Sequence, residues 1–129
     1  MTGRLRPRVI IVDDDPEVVD RVVQVLEDDF DVKATTDWGE LSRLVFRAGC
    51  ELVLMDVNLP VLRGDTLVKI LRRSPAASPT RIVFFSAADP DHVQRLVSET
   101  GADGWISKGL RGKELLAEVR RLAAPRKDR

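Results

Sequence analysis

Asp56 closes an apolar run, Leu52-Val53-Leu54-Met55, and is followed by Val57-Asn58-Leu59-Pro60 and then Gly64. A carboxylate where a buried strand gives way to a loop reads as a chemically used group. Three more aspartates, Asp13, Asp14 and Asp15, follow the apolar run 8–12 in the same way, Ser86 follows the run 81–85, and Lys108 follows the run 104–107. If these runs are strands of one parallel sheet, all six residues stand beyond its carboxyl edge, where open α/β sheets bind their ligands. Two carboxylates about 5 Å apart repel by roughly 3 kcal/mol at an effective dielectric of about 20, so a compact group of them calls for a cation. With one cysteine and one histidine in the chain, the ligands are hard oxygens, which favour Mg²⁺ or Mn²⁺ over zinc. Mg²⁺ binds through one or two carboxylates plus phosphate oxygens, so the chemistry suggested is phosphoryl transfer. Asp56 would be a carboxylate nucleophile able to form an acyl phosphate. The Lys108 ammonium and the Ser86 hydroxyl would bind the remaining oxygens, and no protein base is required.

The elements that must position these groups are legible as two alternating periods. Short apolar runs predict strands over 8–12, 31–35, 52–55, 81–85 and 104–107; Lys33 interrupts the second. Helix-period stretches fall after each of them, which predicts a parallel sheet with helices on both faces. The first helix has Asp15 as N-cap and Pro16 at N1, and the second opens on Asp37 with Glu40 three residues on, a capping-box pattern. A third, about 65–73, stops before Pro75; a fourth runs from the cap Asp89 and Pro90 to a stop at Gly101. The fifth spans 112–122, and its first turn carries Arg111 and Lys113 at the positive end of the helix dipole, offset by Glu114 alone.

Composition narrows the class. A chain of 129 residues suits one domain with one core. The 21 basic and 21 acidic side chains cancel, so no global field recruits nucleic acid or an anionic membrane. Residues 108–129 hold eight Lys or Arg against three acids, read as a solvated final helix and a basic tail. No stretch has the length of a membrane helix and the charged start lacks a signal-peptide core, so a cytoplasmic location is expected. Cys50, the single cysteine, excludes an internal disulfide and reads as a small hydrophobe; His92 reads as surface decoration.

Val12-Asp13-Asp14-Asp15-Pro16, Asp56-Val57-Asn58-Leu59-Pro60 with Gly64, Phe85-Ser86-Ala87, and Trp105-Ile106-Ser107-Lys108 together resemble the response-regulator receiver domain of two-component signalling, over about residues 8–122. The resemblance implies a flavodoxin-like (βα)5 doubly wound fold, a five-stranded parallel sheet in the order 2-1-3-4-5. Residues 1–7 would be an N-terminal extension and 123–129 a basic C-terminal tail. It implies that Asp56 is the phosphoacceptor and that Asp13, Asp14, Asp56 and the main-chain carbonyl of Asn58 hold Mg²⁺. Ser86 becomes the switch hydroxyl, Trp105 the switch aromatic, and Lys108 the lysine that joins the phosphoryl chemistry. The implied partners are a sensor histidine kinase or a histidine phosphotransfer protein as donor, and a protein target on the face of the fourth helix, fifth strand and fifth helix. The domain itself would carry out the transfer and the later hydrolysis, without turning over an external substrate. No residues after Leu122 suffice for a DNA-binding or enzymatic module, so output through partner binding is expected.

The chain departs from the family pattern at three places. Gly109 follows Lys108 where the family usually has a cis proline. A non-proline cis bond costs about 2.5 to 4 kcal/mol, so a trans bond and a more weakly held lysine are expected. Trp105 stands where Tyr or Phe is usual and is expected to stay partly outward as a docking anchor. Ala88 offers no polar group to guide an attacking water. Two other readings remain open: a receiver acting as an interaction module without phosphorylation, and a metal-dependent phosphohydrolase. The second would want an acid where this chain has Asn58.

Overall fold

The computed structural model of the chain describes residues 6–57 and 80–124. β1 (Arg8–Val12), β2 (Asp31–Thr35), β3 (Leu52–Met55), β4 (Arg81–Ser86) and β5 (Gly104–Ser107) form one sheet in the order β2-β1-β3-β4-β5, with every neighbouring pair parallel. The strand order and the two covered faces are those expected from the sequence. β2 forms despite Lys33 because it is an edge strand, where an exposed lysine has water beside it. β4 runs one residue further than expected, because Ser86 pairs with Ser107.

Alternation along the strands divides the core in two. Val9, Ile11, Leu52, Leu54, Val83 and Phe85 pack against α1 (Pro16–Leu26) and α4 (Gly112–Ala123), the fifth helix of the sequence reading. Ile10, Val12, Val53, Met55, Ile82 and Phe84 face the other way, against α2 (Trp38–Arg43) and α3 (Pro90–Thr100), the fourth of the sequence reading. Successive strand residues point to opposite faces, so central strands buried on both sides must be apolar throughout. The third expected helix, 65–73, lies outside the described residues, as do Asn58, Pro60 and Gly64.

Helix ends follow the expected chemistry in part. Asp15 accepts the Glu17 amide at 3.0 Å with Pro16 at N1, and Gly101 closes α3 in a left-handed conformation, φ 85°, with its amide on the Val97 carbonyl. Asp37 accepts the Gly39 amide at 2.8 Å, but the return half of the capping box is absent. The Asp37 amide donates instead to Thr35 Oγ1 at 3.0 Å, a nearer partner than the Glu40 side chain. Asp89 sits at the N-cap of α3 without a side-chain capping bond. α2 continues through a wider π-type turn, Leu44–Ala48, that ends at Gly49. α4 begins without a side-chain cap and with Gly112 at φ 47°. A Cβ there would meet no atom within 4 Å, so the cost of Gly112→Ala is backbone strain alone. Chemical denaturation is expected to show a loss of about 1 to 2 kcal/mol. An unchanged midpoint would show that this φ is not retained.

Candidate functional site

The register of the sheet places the acids. Val12 is paired with Met55, and the Asp56 amide donates to the Val12 carbonyl at 3.0 Å, one step past the end of both strands. Asp13 and Asp56 therefore leave the sheet side by side. Asp13 turns the chain toward α1 by accepting the Asp15 amide on Oδ1 at 2.9 Å. Asp13 and Asp56 are buried and Asp14 is exposed, and one carboxylate oxygen of each lies within 4.8 Å of the others. Asp15 faces α1 as its cap and stands apart from this group.

Lys108 reaches into the same space from the end of β5. Its Nζ lies 2.7 Å from Asp13 Oδ2 and 3.5 Å from Asp56 Oδ2, and 5.8 Å from the centroid of the Phe85 ring. The first contact is an ion pair without hydrogen-bond alignment: Asp13 Oδ2 is fully buried and no donor is directed at it. At an effective dielectric of about 20, each close carboxylate pair still repels by roughly 3 kcal/mol, and one ammonium cannot neutralise three charges. Carboxylates converging from two loops, one with an unsaturated buried oxygen, fit a hard divalent cation. Beside them a cleft of about 410 Å³ is lined by Asp14, Asp20, Thr35 and Thr36 among others. Asp20 and the two threonines were not singled out by sequence reasoning, since the cleft exists only because β2 lies next to β1.

The other expected residues divide. Ser86 is buried at the end of β4, where its Oγ accepts the Ala88 amide at 3.0 Å and its carbonyl accepts the Lys108 amide at 2.9 Å. Trp105 pairs with Phe84, and strand alternation puts its side chain on the same face as that of Ser86. It is half-buried against the core that Ala88 and Leu96 also pack on, partly outward as expected. The described residues contain no cis peptide, so Lys108–Gly109 is trans, also as expected. With that trans bond, the Lys108 ammonium stands between Asp13 and Asp56. A further residue at this turn is one that sequence reasoning missed. Arg21 of α1 donates to the carbonyls of Lys108 at 3.1 Å and Leu110 at 3.0 Å. Burial, and then the nearby Arg111 guanidinium, lower its pKa from the ordinary arginine value. Cys50 is buried with Sγ toward the Leu52 carbonyl, a packing role, and His92 is exposed.

A parallel sheet wound in this order, with its acids and lysine at the carboxyl edge, defines a class of α/β domain whose chemistry sits at the strand ends. The profile of the response regulator receiver domain matches residues 9–120, and the chain belongs to that family. It is 33% identical over 117 residues to the DNA-binding response regulator MtrA of Mycolicibacterium smegmatis, covering 90% of this chain and 50% of that protein. It is 32% identical over 122 residues to the transcriptional regulatory protein PrrA of Mycobacterium tuberculosis, covering 94% of this chain and 52% of that one. The chain thus spans about half the length of these relatives. Among solved structures it resembles the chemotaxis protein CheY4 of Vibrio cholerae, with a TM-score of 0.81 at 25% identity over 91% of this chain and 98% of that one. A protein from Chloroflexus aurantiacus shares the fold with a TM-score of 0.82 at 24% identity, over 92% and 98% of the two chains. The chain is a receiver domain of two-component signalling, a signalling module rather than a conventional enzyme. No helix among the described residues is long and apolar enough to cross a membrane.

Proposed function

We propose that this domain, residues 8–122, is the phosphoacceptor of a histidine-aspartate phosphorelay, and that phosphorylation of Asp56 switches the binding of a protein partner. The observation that carries the proposal is the convergence of Asp13, Asp14, Asp56 and Lys108 at the carboxyl edge of the sheet. The donor is a sensor histidine kinase or a histidine phosphotransfer protein, and the setting is the cytoplasm. An Asp56 carboxylate oxygen forms a bond to phosphorus as the phosphorus–nitrogen bond of the donor histidine breaks, and the leaving imidazole keeps the electron pair. The Lys108 ammonium then has a phosphoryl oxygen to bind in place of a carboxylate, and the Ser86 hydroxyl can turn to another. Asp13, Asp14, Asp56 and the Asn58 carbonyl would hold Mg²⁺. When bound, the ion draws off charge that builds on the transferred group.

The switch has a physical route. The new group brings roughly −1.5 to −2 of charge to the strand ends, and recruiting Ser86 moves a side chain on the face it shares with Trp105. The surface affected is that of α3, β5 and α4. The half-buried Trp105 is suited to anchor a partner there.

The direct test is mass spectrometry after treatment with acetyl phosphate. Wild type gains one phosphoryl group in the presence of Mg²⁺ and little in EDTA, and Asp56→Ala gains none. Absence of the adduct on wild type would overturn the proposal in favour of an interaction module that works without phosphorylation. The acidic group gives a second expectation. Asp14 is exposed, so its repulsion is screened, and Asp14→Asn should stabilise the protein in EDTA by at most about 1 kcal/mol. The increase in thermal midpoint on adding Mg²⁺ should largely disappear. An undiminished Mg²⁺ increment would remove Asp14 from the metal site.

A further inference from the structure

The turn after β5 must hold Lys108 in place, yet its sequence is poorly suited to the task. Gly109 has neither a side chain nor a ring to fix its φ, so the free turn samples more conformations than one built on proline. Its amides are held by the neighbouring strand and by the turn itself: Lys108 donates to the Ser86 carbonyl at 2.9 Å, Gly109 to Ser107 Oγ at 3.0 Å, and Leu110 to the Ser107 carbonyl at 3.2 Å. Two of its carbonyls are held from elsewhere. Arg21 sends one guanidinium nitrogen to the Leu110 carbonyl and another to the Lys108 carbonyl, across 89 and 87 residues of sequence.

A guanidinium is a planar fork of fixed geometry, so binding both carbonyls fixes their relative position and with it the bend of the turn. The arrangement carries a cost, which marks it as more than incidental. Arg21 is part-buried with Arg111 nearby, and among the described residues it has no carboxylate in ion-pair range. Arg111 also donates to the Lys108 carbonyl, at 3.2 Å, but from an exposed side chain and to one carbonyl only.

We infer that Arg21 is the positioning residue for Lys108: its fork sets the 108–110 turn so that the ammonium stands between Asp13 and Asp56. The effect on phosphoryl transfer rests on the function proposed above; the effect on the lysine does not. It acts where the family's proline would act, by contacts from α1 rather than by stiffness within the turn.

The test compares Arg21→Met with wild type, each with and without Lys108→Ala. The first readout is the rate at which an amine-directed acylating reagent modifies Lys108, with exposed Lys113 as the internal control. Arg21→Met should raise the Lys108 rate about tenfold, the worth of one hydrogen bond to a charged group, and leave Lys113 unchanged. The second is phosphorylation by acetyl phosphate with Mg²⁺. Arg21→Met should slow it by up to about tenfold when Lys108 is present and by under about twofold when Lys108 is already alanine. Arg21→Lys, which retains the charge but not the fork, should recover only part of each effect and serves if the methionine variant does not fold. Unchanged Lys108 acylation overturns the inference, as does an equal loss of phosphorylation in both backgrounds. If wild type takes no phosphoryl group, the functional proposal fails, while the acylation rates still decide the role of Arg21.

Discussion

Asp56→Asn is expected to abolish phosphorylation while leaving the protein folded. The amide keeps the shape of the carboxylate but carries no charge, so it cannot attack phosphorus to form an acyl phosphate. Its effect on stability has two opposed parts. Removing one of three carboxylates within 4.8 Å relieves a repulsion of roughly 3 kcal/mol per pair before solvent screening. It also takes from Lys108 the partner at 3.5 Å, but the closer pair with Asp13 at 2.7 Å remains. The thermal midpoint in EDTA should therefore hold or rise, and loss of the adduct can be assigned to chemistry. Peptide mapping of the wild-type adduct must place it on Asp56. A phosphoryl group found on Asp13, Asp14 or Asp15, or retained by Asp56→Asn, would sink the assignment.

Lys108→Ala should move two measurements in opposite directions. Phosphoryl transfer should fall by about a hundredfold or more, the usual consequence of removing a fixed charge from a developing anion. The response to a divalent cation should grow. Asp13 is almost wholly buried beside Lys108, and breaking a buried pair leaves an uncompensated charge that costs about 3 kcal/mol or more. Wild type meets part of that charge with its own ammonium; the variant cannot. Without metal the variant should be clearly less stable, and saturating Mg²⁺ should restore most of the loss. The quantity to compare is the increase in melting temperature between EDTA and Mg²⁺. Equal increments in the two proteins would show that Lys108 and the cation do not share the acidic pocket.

The local features of this molecule follow from local signals. Runs 8–12 and 52–55 became strands with the expected limits because central strands buried on two faces must be apolar almost throughout, and the edge run 104–107 kept its limits too. Asp15 and Pro16 mark the start of α1 through chemistry confined to one turn. Where two local partners compete, the pattern is less decisive. The Asp37 amide had Glu40 within reach by sequence and found Thr35 nearer in space.

The candidate site was legible for the same reason. A parallel sheet sends the residue after each strand to one edge, so Asp13, Asp56, Ser86 and Lys108 could be grouped from sequence alone. How Lys108 is held could not be read that way. Gly109 suggested a loose turn, because the only stiffening visible in sequence is that of the turn's own residues. The brace is Arg21, whose place among the valines of α1 reveals nothing about carbonyls 87 and 89 residues away. Sequence determined which groups the chain brings to the edge of the sheet. Packing of α1 beside the turn that leads into α4 decided how one of them is aimed, since a contact of that range exists only once the sheet has closed the distance.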